Sequence, residues 1–189
     1  FRNHAVFNLS PANVWEGTDF CEGLFRDWAT WQLEDGIAFE QLGRVLQVLS
    51  PSPDEILVPG QLRKVSINDP KKYPTLKMPY AQEVPVIHAS AGMRRILALA
   101  YLLVCTWQEH LAACELTGGE PANEIIFLID EVEAHLHPQW QRRIVPALLT
   151  VMEALTDTQK VETQLICSTH SPLILASIET AFEPDRDTI

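Results

Sequence analysis

The sequence predicts an α/β fold built on a parallel sheet with a helical subregion, and three observations predict it. Two short apolar runs, Glu124 to Ile129 and Gln164 to Ser168, read as strands, and each is followed by a stretch of helical apolar spacing. Strand, helix, strand, helix in that order implies parallel strands joined by right-handed crossovers. Ahead of them, Phe20, Leu24, Trp28 and Trp31, then Leu42, Val45, Leu46 and Leu49, recur at helical spacing until Pro51 and Pro53 end the pattern.

Taken in order, the helical subregion gives way at Ile56 to short β-leaning pieces such as Lys64-Val65-Ser66-Ile67. These are punctuated by Pro59, Pro70, Pro74, Pro79 and Pro85, so residues 56–86 are expected to be irregular with edge strands. Arg94 to about Glu115 reads as one long helix broken by Gly118-Gly119. The run Glu124 to Ile129 reads as a strand buried on both faces. Pro138 sits where a helix can begin without losing a needed N–H, and the helix it opens, with Trp140, Ile144, Leu148 and Met152 or Leu155 inward, is expected to bend at Pro146. The second strand ends at Thr169-His170-Ser171-Pro172, and Leu173 to Ile178 forms a further apolar helix. The division expected is residues 1–83 as a helical and irregular lobe and residues 84–189 as a strand-and-helix half.

With 189 residues, 47% hydrophobic and 21% charged, the chain can bury one good-sized core. Cys21, Cys105, Cys114 and Cys167 lie far apart with no C-x-x-C pair, which suits reduced core thiols better than a disulfide frame or a zinc site. No signal-like segment opens the chain, and its longest apolar run, Ile96 to Cys105, is about half a bilayer span. A soluble cytoplasmic protein without a membrane partner is expected. The net charge of −11 offers phosphate backbones no general attraction, so any DNA or RNA contact needs a local patch. One patch exists, Arg63, Lys64, Lys71, Lys72 and Lys77, interrupted only by Asp69; a solvated loop is its other reading.

Three short pieces carry chemistry. In Ile125-Ile126-Phe127-Leu128-Ile129-Asp130-Glu131, an apolar run ends in two carboxylates. At the carboxyl end of a parallel strand, where open α/β sheets bind ligands, Asp130 can hold a Mg²⁺ water shell and Glu131 can orient or deprotonate the water attacking a γ-phosphate. A strand running into a solvated acidic turn would look the same. Ser90-Ala91-Gly92-Met93-Arg94-Arg95 opens the long helix with small residues that let backbone N–H groups approach a phosphate, or it is an ordinary N-cap. His170, directly after the second strand, lies beside Glu131 if the two strands are neighbours; it is otherwise a structural histidine.

In order, these pieces, "SAGMRR…LIDEVEAHLHPQWQRR…STHSP", resemble the heads of ABC-class ATPases, of the kind described as AAA-family ATPases in bacteria and related to OLD-family, RecF, SMC and PtuA heads. The resemblance covers about Val84 to Glu179. It implies a partial P-loop NTPase domain in which Ser90 and Gly92 touch the γ-phosphate of ATP held by a partner subunit. Asp130 holds Mg²⁺, Glu131 the water, and His170 the γ-phosphate. Ala134-His135-Leu136-His137 falls where the D-loop crosses the dimer interface, and His137 replaces the Asp of the transporter version. A zinc site at His135 and His137 lacks a nearby third ligand in the sequence. Arg94 and Arg95 either hold phosphate across the interface or lie on the solvent face of the helix.

An ATPase of this class needs a G-x-x-x-x-G-K-[ST] loop, and none occurs among these residues. Because Phe1 opens the chain and Asp185 to Ile189 ends it without a terminator, both ends are expected to be internal to a longer protein. The function implied is an ATP-hydrolysing head that dimerises on ATP and controls a nucleic-acid-directed effector, for example a nuclease in phage defence or repair. Two alternatives remain. A transporter nucleotide-binding subunit would put a coupling surface in the helical subregion, but the His-Leu-His-Pro ending and the forty-residue gap from Ser90 to Asp130 speak against it. A non-hydrolysing dimerisation module is the other.

Overall fold

The computed structural model describes residues 9–18, 21–34, 36–78, 82–156, 161–179 and 182–189. Phe20 and Pro79, both used above, lie outside these residues. The chain opens on α1 (Pro11–Glu16), where Ser10 and Asn13 form a reciprocal capping box and Pro11 takes the first helical turn. This helix escaped the sequence reading, although a capping serine followed by proline marks its start. Two helices at the expected places follow, α2 (Leu24–Glu34) and α3 (Ile37–Val48).

Among its described residues the irregular stretch holds five short strands: β1 (Val58–Pro59), β2 (Arg63–Lys64), β3 (Lys72–Tyr73), β4 (Thr75–Lys77) and β5 (Glu83–Pro85). Strands β1, β4 and β5 form a small antiparallel sheet, while β2 and β3 make a separate two-stranded ribbon. A 3-10 turn, Val86–His88, then leads into α4 (Ala91–Thr117), capped by Ser90 and ended by Gly118 in the left-handed conformation at φ 65°. The Ser90 side chain accepts a hydrogen bond from the Met93 amide, as an N-cap does.

Strands β6 (Glu124–Ile129) and β7 (Glu162–Cys167) pair in parallel, with Ile129 opposite Cys167. Between them run α5 (Pro138–Gln141) and α6 (Ile144–Leu155), and α7 (Pro172–Ile178) closes the order. The α5–α6 break falls at Arg142-Arg143 rather than at Pro146. Pro146 is the third residue of α6, where its N–H would have had no partner within the helix, so it bends nothing.

The core lies among the helices. Leu24, Trp28, Val45, Leu46, Leu97, Ala100, Val104, Leu148 and Val151 are fully buried and belong to one cluster. Polar clasps tie the helices together. The Gln41 amide donates to the Leu155 carbonyl at 2.6 Å, the Trp140 indole to the Leu49 carbonyl at 2.9 Å, and the Tyr101 hydroxyl to Asp27 at 2.6 Å. By length and composition α4 could cross a membrane, but Ile96, Leu97, Ala100, Tyr101 and Val104 pack into this core.

Two expectations need correction. The strand Glu124 to Ile129 is not buried on both faces: Ile125, Phe127 and Ile129 pack inward, while Ile126 and Leu128 are 60% and 75% exposed. Among the described residues, helices cover only one side of the β6–β7 pair. The cysteines are free thiols as expected, but none is a fully buried core residue; Cys167 is exposed and the others are half-buried. Burial pushes the Cys105 thiol up to about 11.

Candidate active site at the ends of the parallel strands

Asp130 and Glu131 leave the end of β6, and Ser168, Thr169 and His170 leave the end of β7 beside it. The register that pairs Ile129 with Cys167 sets Asp130 beside Ser168. Ser168 clamps the neighbouring tip: its hydroxyl donates to Asp130 Oδ1 and accepts the Glu131 amide at 2.9 Å, while its carbonyl accepts the Val132 amide at 3.2 Å. The strand ends are thus stitched together beyond the last ladder pair.

Glu131 has φ 47°, in the left-handed region that non-glycine residues rarely enter. Its backbone is held at both ends, by Ser168 at the amide and by Arg95, whose guanidinium donates to the Glu131 carbonyl at 2.8 Å. These bonds fix the strained conformation and leave the carboxylate side chain exposed. His135, at φ 62°, is the other left-handed non-glycine residue among those described, so both kinks flank the short turn that leads from β6 toward α5.

On the β7 side, the His170 amide donates to Glu133 Oε1 at 2.5 Å, and the imidazole is exposed. Burial raises the Glu133 carboxyl, but hydrogen bonds from the Thr169 hydroxyl and the His170 amide outweigh it and hold the group below the usual carboxylate range. An ionised Glu133 is therefore a fixed acceptor that sets the position of His170. Ser171 adds a second tie, its hydroxyl donating to Gln141 Oε1 at 2.7 Å and accepting the Leu173 amide as cap of α7.

The structure thus brings Asp130, Glu131 and His170 to one sheet end, and the start of α4 reaches it through Arg95. Ser90 and Ala91 are exposed there, whereas Gly92 is buried. A Cβ on Gly92 would stand 2.8 Å from the His135 carbonyl oxygen, so this glycine lets the helix pack against the kinked turn of its own chain. Arg94 points elsewhere, its guanidinium 4.9 Å from the centre of the Trp15 ring. His137 caps α5, its Nδ1 accepting the Gln139 amide at 3.4 Å. No group of three metal-ligating side chains occurs among the described residues, which leaves His135 and His137 short of a zinc set.

Ser168 and Glu133 were missed in the sequence. The signal for Ser168 was there: two strands aligned by their carboxyl ends pair Asp130 with the residue just before Thr169-His170. Glu133 had no such signal, because its role depends on how the loop folds back.

Asp130 suits Mg²⁺. It is a hard, exposed carboxylate already oriented by a hydroxyl, and this ion is usually bound by one or two carboxylates together with phosphate oxygens and water.

Residues 2–176 match the family described as "AAA domain, putative AbiEii toxin, Type IV TA system". Two curated proteins are similar to part of the chain. One is the retron Vc95 probable ATPase of Vibrio cholerae serotype O1 biovar El Tor, 33% identical over 97 residues. The other is the retron Ec83 probable ATPase of Escherichia coli, 38% identical over 96 residues. The matched stretch is about half of this chain but only 16% of either relative. Among solved structures, one described as concerning ATP-driven dimerization and DNA stimulated activation of SMC ATPases overlaps 80% of this chain and 77% of its own, at TM-score 0.46 and 16% identity. An SmcHead bound to the C-winged helix domain of ScpA overlaps 76% of this chain and 36% of its own, at TM-score 0.42 and 18% identity.

Proposed function

The chain belongs to the AAA-domain family that matches residues 2–176, and from that premise we propose that it forms the hydrolytic half of an ATP site that works across a dimer. One observation carries this reading: the parallel β6–β7 register and the Ser168 clamp gather two exposed carboxylates and a histidine at the carboxyl end of the sheet. That is where α/β sheets bind ligands, and one acid placed for Mg²⁺ with the next placed for the attacking water suits phosphoryl transfer to water.

In this reading residues 84–189 carry the chemistry and residues 1–83 form the supporting lobe. Asp130 would hold Mg²⁺, which supplies charge neutralisation for the β- and γ-phosphates. Glu131, its backbone fixed at both ends, orients the attacking water and accepts its proton. His170, set by Glu133, contacts the γ-phosphate. The exposed Ser90 hydroxyl and the opening amides of α4 face the γ-phosphate held by a second copy, with Gly92 serving the close packing behind them. The G-x-x-x-x-G-K-[ST] loop does not occur in these residues, so in this reading the β-phosphate cradle would be supplied by another part of the same protein or by another chain. Closure and reopening of such a dimer is a switch driven by ligand contacts made in one state only. Its output, as the resemblance to OLD-, RecF-, SMC- and PtuA-type heads implies, is control of an effector directed at DNA or RNA, of a phage-defence or repair kind. The setting is cytoplasmic.

Glu131→Gln in the full-length protein tests this. ATP turnover is expected to fall about a hundredfold or more, as for loss of a general base, while bound ATP is retained and the dimer persists. Unchanged turnover and unchanged assembly would sink the proposal.

A further inference from the structure

The β2–β3 ribbon is a second candidate site. The chain has five lysines, and four of them, Lys64, Lys71, Lys72 and Lys77, fall with Arg63 within residues 63–77 of a protein whose net charge is −11. All five cations are exposed. The ribbon sets Lys64 directly opposite Lys72. Like charges in that position destabilise a two-stranded ladder, so the pair does nothing for the fold.

The nearby carboxylates are already engaged. Glu83 takes Arg63 in an ion pair of 2.5 Å. Asp69 accepts the Tyr73 hydroxyl at 2.8 Å and the Lys71 amide at 2.9 Å, bonds that shape the turn and hold its carboxyl below the usual range. Among the described residues no carboxylate forms an ion pair with any of the four lysines.

The ribbon is also anchored and tipped. Tyr73 stacks edge-on against Phe25 of α2 with ring centroids 5.4 Å apart, and Arg63 ties the ribbon base to β5. At the turn, Ile67 stands 98% exposed, an apolar side chain at the end of a cationic finger.

We infer that the β2–β3 ribbon binds the phosphate backbone of a nucleic-acid duplex, with Lys64, Lys71 and Lys72 on phosphates and Ile67 entering a groove. A two-stranded ribbon fits the major groove of a DNA duplex, where apolar side chains contact thymine methyl groups. The ribbon's one aromatic ring, Tyr73, is half-buried, packed against Phe25 and bonded through its hydroxyl to Asp69, so the ribbon lacks the exposed row of aromatic rings on which single strands stack. The acidic remainder of the surface does not forbid the contact, because charges more than about 8 Å away are largely screened at physiological salt. This inference does not depend on the ATPase reading, since Glu131→Gln leaves the ribbon untouched.

The test uses the full-length protein without nucleotide and duplexes of about two helical turns, DNA in one arm and RNA in the other, titrated over a salt series. Combined replacement of Lys64, Lys71 and Lys72 by Gln should weaken binding at least about tenfold and flatten the log–log salt slope by roughly 0.9 per lysine lost. Replacing the same three by Arg should preserve the slope, and Ile67→Ala should weaken binding without changing it. An affinity and slope indifferent to the Gln variant, a single strand bound as tightly as the duplexes, or ribbon-dependent binding of polyglutamate in place of either duplex would overturn the assignment.

Discussion

The helical core and the β6–β7 pair are built on opposite terms. Around Trp28, Leu97 and Leu148, apolar side chains from α2, α3, α4 and α6 are enclosed on every side. In the parallel pair, the apolar strand β6, whose composition favours burial on both faces, receives it on one, and Ile126, Leu128 and, on β7, Ile166 are more than half exposed. The enclosed region contains little chemistry. The open one ends in Asp130, Glu131 and His170, and Ser168, Arg95 and Glu133 fix those ends by polar bonds. The packed core and the candidate site thus sit in different parts of the same fold, the site at the less covered edge.

Truncation should break that contrast most visibly. Trp28→Ala is expected to lower the unfolding free energy of this chain by about 3–5 kcal/mol, whereas Leu128→Ala should cost under about 1 kcal/mol because its side chain is largely in water already. Urea denaturation of the two variants decides it. Equal losses would mean that the outer strand face is covered in solution and that the contrast is wrong.

A smaller effect concerns charge inside the helical region. Burial raises the Asp27 pKa above 3.8 and outweighs the hydrogen bond from Tyr101, so the folded state holds the Asp27 proton more tightly than the unfolded chain does. Its contribution to stability is therefore complete below pH 3.8 and disappears as pH rises through the folded-state value. Asp27→Asn, which keeps an acceptor for Tyr101, should remove this decline, so the variant's melting temperature gains on the parent's as pH rises across the mildly acidic range. A parallel pair of curves would show that Asp27 is not the group responsible.

Much of this arrangement was legible in the residues. The apolar spacing of Leu42, Val45 and Leu46 located α3, the Gly118-Gly119 pair ended α4, and the strand-then-acid pattern located the β6 tip, because each depends on local preference or a period of a few residues. Apart from α1, whose local Ser10-Pro11 start was overlooked, what escaped depends on distant residues. The half-covered sheet could not be read from Ile125 to Ile129, whose composition reports only what the strand would favour. Pro146 was misread because its effect turns on whether a helix begins two residues before it or eight, and Arg142-Arg143 decided that. The small-residue start of α4 was read as facing a phosphate, but Gly92 packs against the His135 carbonyl of its own chain, a contact between segments far apart in sequence. The site's supporting groups, Ser168 and Glu133, belong to the same class of long-range consequence.

The central claim is that the β6 tip holds the metal-bound triphosphate, and ATP binding by the full-length protein as a function of Mg²⁺ tests it most directly. Asp130→Asn should sharply reduce the Mg²⁺-dependent gain in ATP affinity that the parent and Glu131→Gln both show, because in the proposed site Asp130 is the carboxylate that holds the ion. If Asp130→Asn binds ATP with the parent's Mg²⁺ dependence, the metal lies elsewhere and the site assigned to the strand ends is wrong.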